Sequence, residues 1–174
     1  MKLLDTVWKD KLYSVYEEPG DDTFHVGYFI SSDEATALFN IFTTRGYEDG
    51  LFLTQVENIY RLDCDDRYTN RIAKLAEIHQ QEKASVQMPS DLPLLIALFQ
   101  YAQKNDFFVS VELDSEDLIS GSVREIGEEH LLLDVIDEDG ISDGTSLLLL
   151  DSVVRASCNS GRERNIQALF QRNR

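Results

Sequence analysis

Short runs of alternating apolar and polar residues dominate the chain and predict a protein built mainly from β-strands. The clearest runs, "KLYSVYE" from Lys11 and "FFVSVEL" from Phe107, are rich in aromatic and β-branched residues. Each is followed by a run with a central glycine, a third apolar run, a glycine-containing turn and a long apolar stretch. Polar pairs, Glu57-Asn58 and Asp151-Ser152, interrupt the last stretch. We interpret them as tight turns between a fourth and a fifth strand.

Helical periodicity precedes the strands in both halves of the chain. In "SDLPLLIALFQYAQKND", Leu94, Leu98 and Ala102 fall on one face at helical spacing. A shorter apolar pattern from Leu3 to about Lys11 predicts a matching helix before the first set of strands. We therefore expect the order of one helix followed by five strands to occur twice.

The two halves match each other at a constant offset without gaps. The turn "GYEDG" recurs as "GISDG", which aligns Gly46 with Gly140, Asp49 with Asp143, and Gly50 with Gly144. Glycine can take positive φ at these places, and aspartate can accept hydrogen bonds from local backbone N–H groups. We interpret both motifs as structural turns that link strand three to strand four. The alternative, that the aspartates bind a metal or act as catalytic acids, lacks an accompanying histidine or carboxylate at a consistent spacing in both copies.

The duplication predicts two small domains joined by a linker. We place the first domain at residues 1–79, the linker at 80–89 and the second domain at 90–174. Each domain begins with its helix, and the second ends in a basic helical tail. Domains of this size bury little surface per residue, so packing between them, or oligomerisation, is expected to add stability.

A helix, five strands, a glycine within the second strand and a tight junction before the fifth resemble the Sm-like fold, a small and strongly bent SH3-type barrel. "GSVREIGEEHLLLDV" resembles the first Sm motif, and "LLLLDSVVRAS" resembles the second. The resemblance implies two tandem five-stranded barrels and association between strand edges. The positions matching the family's RNA-contacting residues carry other types: Ala37 and Leu131 for its asparagine, and Val56-Glu57 and Leu150-Asp151 for its arginine-glycine pair. The resemblance therefore implies no inherited ligand.

Acidic residues outnumber basic ones and give a formal net charge of −16 at pH 7. From Asp106 to Asp151 the only basic residue is Arg124. Nucleic acids are held mainly through phosphates that Lys and Arg neutralise, so the sequence argues against a nucleic-acid partner. We interpret this acidic face as solvated, with a docking site for a cation or a basic protein as the alternative.

The C-terminal tail, "GRERNIQALFQRNR", reverses this charge and places three apolar residues at helical spacing. We expect it to dock on the acidic barrel, either of its own chain or of a neighbour, and Arg162 and Arg164 are its candidate interaction residues. Its apolar content is too sparse to predict membrane binding.

Two further pairs of residues stand at matching positions near the end of each repeat. Arg61 and Arg155 lie between apolar residues, and we expect each to point outward, pair with a neighbouring carboxylate and contribute to an interaction surface. Strand alternation places Cys64 and Cys158 with the barrel-facing residues. Small buried cysteines are common in cores, so we interpret both as core residues and not as reactive thiols.

No recognisable motif for catalysis or for a cofactor accompanies this fold. A phosphate-binding glycine loop, a catalytic triad and a metal motif are missing from the sequence, and no histidine stands at positions equivalent to His25, His79 or His130. We therefore expect a non-enzymatic protein-interaction or scaffold module without a cofactor. Its protein partner is unknown, and it is a candidate to homodimerise through barrel strand edges. The alternative is a divergent Sm-like RNA-binding protein whose basic tail makes the contacts.

The expected compartment follows from the apolar runs and the cysteines. No run is long enough to cross a bilayer, so no membrane association is predicted. Asp5 and Asp10 interrupt the amino-terminal apolar residues in a way that is atypical of a secretory signal. Together with a single cysteine in each repeat, these features predict a cytoplasmic protein.

Overall fold

The chain forms two compact units in the computed structural model, which describes residues 7–8, 10–17, 19 and 23–174. Unit 1 is Met1–Met88, and unit 2 is Pro89–Arg174. Among the described residues, ten antiparallel strands and three α-helices give a mainly β fold. The prediction of a mainly β protein is confirmed.

Unit 1 consists of one five-stranded sheet followed by a helix. Its elements are β1 (Leu12–Tyr16), β2 (His25–Ser32), β3 (Thr36–Phe42), β4 (Glu48–Gln55), β5 (Arg61–Cys64) and α1 (Arg67–Ile78). The strands lie in the order β5-β1-β2-β3-β4. One turn of 3-10 helix, Val56–Asn58, joins β4 to β5 and contains the polar pair that was predicted to divide the two strands.

Unit 2 repeats this arrangement and has a helix in front of its first strand. Its elements are α2 (Leu94–Lys104), β6 (Phe108–Leu113), β7 (Leu118–Ile126), β8 (His130–Ile136), β9 (Ser142–Leu149), β10 (Val153–Cys158) and α3 (Gly161–Asn173). The strands lie in the order β10-β6-β7-β8-β9. The 3-10 turn Leu150–Ser152 joins β9 to β10, so the same connection divides the last apolar stretch in both units.

The sheet is not closed into a barrel in either unit. Within unit 1, β4 and β5 lie at opposite ends of the strand order, and within unit 2, β9 and β10 do so. The short 3-10 turn redirects the chain so that the fifth strand pairs with the first, β5 with β1 and β10 with β6. The predicted five-stranded barrels are therefore corrected to open antiparallel sheets.

The helices in front of the sheets correspond to the prediction only in unit 2. There α2 carries the expected periodic face, with Leu94, Leu98 and Ala102 buried. The helix predicted from Leu3 to about Lys11 lies mostly outside the described residues, and residues 7–8, 10 and 11, which are described, are not helical. No helix in the described part of the chain is both long enough and apolar enough to cross a membrane.

A helix after the fifth strand docks on the sheet in both units. In unit 1, Ile72 of α1 shares a buried core cluster with Phe42 of β3. In unit 2, Ile166 of α3 shares one with Ile136 of β8, and these two residues stand at the equivalent positions. The predicted basic tail is α3. Its counterpart α1 was not predicted, although the isoleucine is repeated in the sequence.

A glycine in the second strand lets the third strand approach closely. A Cβ atom at Gly27 would lie 2.8 Å from the carbonyl oxygen of Asn40. A Cβ atom at Gly121 would overlap the carbonyl oxygen of Asp134, the equivalent residue of unit 2. Any larger residue would push the two strands apart, so the glycine permits the close approach of the third strand.

Candidate interaction surfaces

The first glycine of each repeated turn lies against the helix that follows the sheet. Gly46 and Gly140 have φ of +79° and +74°, a left-handed conformation that other residues rarely adopt. A Cβ atom at Gly46 would lie 2.6 Å from the backbone nitrogen of Ala76 in α1, and one at Gly140 would overlap the backbone nitrogen of Phe170 in α3. The turn is thus the place where each helix meets the sheet, which supports its structural interpretation.

The second glycine of the motif lies inside the fourth strand, and not in the turn. β4 already begins at Glu48 and β9 at Ser142, so the predicted start of the fourth strand is corrected to an earlier residue. Gly50 and Gly144 have positive φ, and the pairing register shifts beside them. A bulge of this kind inserts extra residues opposite the partner strand and increases the local twist.

The local hydrogen bond that recurs in both turns is accepted by a residue before the first glycine. Thr43 Oγ1 accepts from the N–H of Tyr47 at 3.1 Å, and Asp137 Oδ1 accepts from a backbone N–H of its turn at 2.8 Å. This is the role that the sequence analysis gave to Asp49 and Asp143. Among the residues that the structure describes, no group of three or more His, Cys, Asp or Glu is placed to hold a metal ion.

The two cysteines lie at the ends of the fifth strands and form no disulfide. Cys158 is fully buried. Cys64 is half-buried and packs against the core cluster inside the sheet of unit 1. Both environments favour the predicted packing role.

The matching arginines of the fifth strands pair with different carboxylates. Arg155 Nη1 donates to Glu112 Oε1 across β10 and β6 at 2.7 Å. Arg61 Nε donates to Asp63 Oδ1 on its own strand at 2.9 Å. The guanidinium of Arg61 also lies over the ring of Tyr16, 4.8 Å from the ring centroid. Each arginine therefore has the expected carboxylate partner, and Arg61 makes an additional cation–π contact.

The basic tail helix α3 docks on its own unit. Arg162 Nη2 lies 2.8 Å from Glu138 Oε1 in the turn between β8 and β9. Arg164 Nη1 donates to the carbonyl oxygen of Asn159 at 2.7 Å. Of the two docking sites that the sequence left open, the structure places the tail on the acidic strands of its own chain.

A buried carboxylate, which the sequence analysis missed, fixes the start of α3. Glu163 Oε1 accepts from Ser110 Oγ at 2.6 Å and from Ser157 Oγ at 2.8 Å, and Oε2 accepts from the N–H of Ser160 at 2.7 Å. These bonds tie the helix to β6 and β10. Ser160 and Glu163 form a capping box, whose Ser-x-x-Glu pattern is the sequence signal that could have identified it.

A different polar cluster lies in unit 1. Thr54 donates to Glu17, whose second oxygen is 3.7 Å from Nε2 of His25, and the ring of His25 lies against Phe52. The positions of Thr54, Glu17 and His25 carry only apolar residues in unit 2, where the strand pairing matches them with Leu148, Leu113 and Ile119. The carboxylate stands between the hydroxyl and the imidazole, whereas activation of a hydroxyl nucleophile requires the imidazole in the middle.

Four aromatic rings form a continuous row in unit 1, which we call the aromatic row. The ring centroid of Tyr16 lies 4.8 Å from that of Phe24 and 6.2 Å from that of Tyr60, and Phe24 lies 5.3 Å from Tyr68. The rings are contributed by β1, by the residues just before β2 and β5, and by the first turn of α1. The sequence analysis missed the row because its residues are far apart in the chain and are not repeated in unit 2.

The strand β9 leaves apolar side chains exposed at one end of the strand order of unit 2. Leu147 and Leu149 are 61% and 58% exposed, whereas Leu148 between them is 5% exposed. Unit 1 has Leu53 at the position of Leu147, and Leu53 is only 1% exposed. The sequence analysis singled out this stretch as unusually apolar, and the structure places two of its leucines at the surface.

Comparison of the chain with protein-family models, with curated proteins and with solved structures gives no match. Its function has to be inferred from the surfaces described above.

Proposed function

We propose that the chain is a non-enzymatic protein-interaction module made of two Sm-like units, and that β9 of unit 2 pairs with a strand of a partner protein. The glycine of the second strand, the 3-10 turn before the fifth strand and the five-stranded order support the Sm-like assignment. The two polar clusters support a non-enzymatic role. Glu163 is engaged with the start of a helix, and in the Glu17 cluster the carboxylate, not the imidazole of His25, stands between the other two groups.

The exposed edge of β9 is the observation that carries this proposal. Within unit 2, no strand follows β9 in the sheet order. Edge strands present backbone N–H and C=O groups that can pair with another chain, and proteins usually protect them with lysine, proline or inward charges. Between Ser142 and Leu149 there is no lysine, arginine or proline. A partner strand would also cover the two exposed leucines, each worth about 1.5–3 kcal/mol when fully buried.

The charge around β9 indicates what kind of strand it binds. Asp139, Asp143 and Asp151 are exposed beside or within β9. A second copy of β9 would bring the same carboxylates together, and like charges that face each other across strands are unfavourable. A strand in which lysine or arginine alternates with apolar residues complements this edge better than a second copy does.

The alternative of RNA binding through the basic tail has less support. Arg162 is paired with Glu138, and Arg155 of the preceding strand with Glu112. Both ion pairs engage arginine charge that would otherwise be available to bind the phosphates of RNA. The tail is therefore engaged with its own unit.

A peptide-binding experiment on the full chain tests the proposal. The probes are soluble fluorescent peptides of alternating valine and lysine, of alternating valine and glutamate, and of the first sequence with alternate backbone nitrogens methylated. We expect the first peptide to bind and the other two to fail, because the second has the wrong charge and the third cannot complete the strand pairing.

Matched variants locate the binding site. Leu147→Ser with Leu149→Ser should weaken binding of the valine-lysine peptide, whereas Leu118→Ser, at an exposed leucine of β7, should not. A labelled oligouridine, tested in the same way, distinguishes RNA binding from peptide binding. Binding of RNA, or peptide binding that survives both the leucine changes and N-methylation, contradicts strand pairing at β9. Dimerisation in sedimentation runs that the leucine changes abolish would identify a second copy as the occupant.

A further inference from the structure

The aromatic row of unit 1 is a second surface, separate from β9 and independent of the function proposed for it. Tyr60, at one end of the row, is 46% exposed. Tyr16, Phe24 and Tyr68 are half-buried, and Phe24 and Tyr68 pack partly against the core beneath α1. The row therefore combines fixed ring positions with solvent access, which is the combination found at protein interaction hot spots.

The fold does not require these rings. Unit 2 builds the same elements with non-aromatic residues at the four equivalent positions. Glu112 pairs with Arg155 as Tyr16 pairs with Arg61, and the other three positions carry Leu118, Val154 and Arg162. Unit 2 thus forms a strand, a 3-10 turn and a docked helix without them. The shared topology does not account for four adjacent rings in unit 1 alone. The rings therefore point to a ligand.

Two carboxylates and one cation act on Tyr16, the central tyrosine of the row. Burial raises the pKa of the Tyr16 hydroxyl first of all, and the carboxylates of Asp63 and Asp66 raise it further, whereas Arg61 lowers it. The carboxylate of Asp63 is held beside the centre of the row by its hydrogen bond to Arg61, whose guanidinium lies over the ring of Tyr16. Negative potential combined with ring faces favours a cation.

Arg61 shows what kind of cation the surface accepts. Its guanidinium lies over the ring of Tyr16 while its Nε donates to Asp63. A planar guanidinium can stack on a ring and bond to a carboxylate at the same time, whereas an ammonium group has no plane to stack. The exposed ring of Tyr60 offers the same chemistry to a group from outside.

We propose that the aromatic row binds an arginine-bearing extended segment of another protein, with a guanidinium of that segment stacked on Tyr60 and attracted by the neighbouring carboxylates. Single-stranded nucleic acid could also stack on exposed rings. The formal net charge of −16 and the carboxylates beside Tyr16 repel its phosphates, so a cationic segment is the better fit.

Fluorescence anisotropy with the full chain at physiological salt tests this proposal. The probes are labelled octapeptides of alternating arginine and glycine, of alternating lysine and glycine, and a labelled oligouridine. We expect the arginine peptide to bind about fivefold more tightly than the lysine peptide of equal charge, because only guanidinium stacks on the ring.

Two tyrosine variants provide a matched comparison. Tyr60→Leu should weaken binding of the arginine peptide about fivefold, since it removes the ring and leaves the charge unchanged. Tyr47 is 45% exposed and lies outside the aromatic row, stacked on His79. Tyr47→Leu should leave binding unchanged. Circular dichroism of both variants verifies that the fold is retained.

Three outcomes would overturn the proposal. Equal affinity for the arginine and lysine peptides, with no effect of Tyr60→Leu, would mean that the acidic chain attracts cations without using the rings. No binding of the arginine peptide at all would remove the site. Tighter binding of oligouridine that depends on Tyr60 would assign the row to nucleobases. The peptide results do not bear on β9, because these peptides and the tyrosine variants differ from those used there. The oligouridine probe is shared, and only oligouridine binding that Tyr60→Leu leaves intact counts against strand pairing at β9.

Discussion

Units 1 and 2 have the same strand order, but they carry different side-chain clusters on that shared backbone. Both have a close-approach glycine in the second strand, a positive-φ glycine against the following helix and a 3-10 turn before the fifth strand. Only unit 1 has the aromatic row and the Glu17 cluster, and only unit 2 has the Glu163 network and exposed leucines in its fourth strand. The comparison separates two kinds of constraint.

The shared features are those in which backbone meets backbone. A Cβ atom at Gly46, Gly140, Gly27 or Gly121 would collide with a neighbouring strand or helix, so these positions are limited by geometry in both units. The differing features consist of side chains that the same backbone tolerates in several versions. We therefore expect shared positions to determine stability in both units, and unit-specific positions to determine stability or binding in only one.

The largest expected effect is at the shared turn glycine. Gly46→Val and Gly140→Val should each destabilise their own unit by roughly 2–5 kcal/mol, because a β-branched residue is strained in a left-handed conformation and its side chain would overlap α1 or α3. Unit-resolved hydrogen exchange of the full chain measures both losses. A large loss of stability in only one of the two units would contradict the conclusion that this glycine constrains both.

Gly144 separates strain from overlap. It has φ of +85°, but a Cβ atom there would have no neighbour within 4 Å. Gly144→Val should therefore cost only the conformational strain, about 1–2 kcal/mol. If Gly140→Val costs no more than Gly144→Val, the contact between the turn and α3 contributes nothing to stability.

The second prediction concerns equivalent leucines of the fourth strands. Leu53 is buried and Leu147 is exposed. Leu53→Ala should destabilise unit 1 by about 2–4 kcal/mol because it leaves a cavity. Leu147→Ala should change the stability of unit 2 by less than about 0.5 kcal/mol. Denaturant unfolding followed by hydrogen exchange distinguishes them, and equal costs would show that β9 is covered in solution.

The sequence predicted the features that are repeated, since a second copy makes a weak pattern recognisable. The glycine turns, the central glycine of the second strand, and the division between the fourth and fifth strands were all inferred from matching positions. α1 was missed even though its apolar residues Ile72 and Leu75 recur as Ile166 and Leu169 of α3. A barrel was expected from the resemblance, but whether the fourth and fifth strands approach each other depends on the path of a three-residue turn, which composition does not encode.

Features found in one unit only were the harder ones to predict. Tyr16, Phe24, Tyr60 and Tyr68 lie far apart in the chain, and only the pairing of β1 with β2 and β5 and the docking of α1 bring them together. The exposure of Leu147 was likewise hidden, because a leucine-rich run is compatible with a buried or an exposed strand. Side-chain surroundings of this kind depend on tertiary packing more than on local pattern.

The third prediction compares the N-terminal capping interactions of α1 and α3. Glu163→Ala should destabilise unit 2 by about 1–3 kcal/mol, because buried donors of Ser110, Ser157 and Ser160 lose their acceptor. Thr69 stands at the equivalent position of α1, and its hydroxyl donates to Asp66 at 2.9 Å. Thr69→Ala should destabilise unit 1 by a smaller amount, because it removes only the hydroxyl donor. The backbone N–H of residue 69 can still donate to Asp66. Hydrogen exchange at the first turn of each helix measures the difference, and equal losses would contradict the larger role of Glu163.

The smallest predicted effect is at Asp66, the N-cap of α1, whose side chain accepts from the N–H of Thr69 at 2.7 Å. Asp66→Ala should cost about 1 kcal/mol at neutral pH, whereas Asp66→Asn should retain most of the cap. The same hydrogen bond holds the pKa of Asp66 below its ordinary value. A lowered folded-state pKa gives stability that is present above the pKa of the unfolded chain, about 4, and is lost as the pH falls through the folded value. The stability difference between wild type and Asp66→Ala should therefore shrink between neutral pH and about pH 3. A stability difference between wild type and Asp66→Ala that stays constant down to that pH would show that the carboxylate charge adds nothing to the cap.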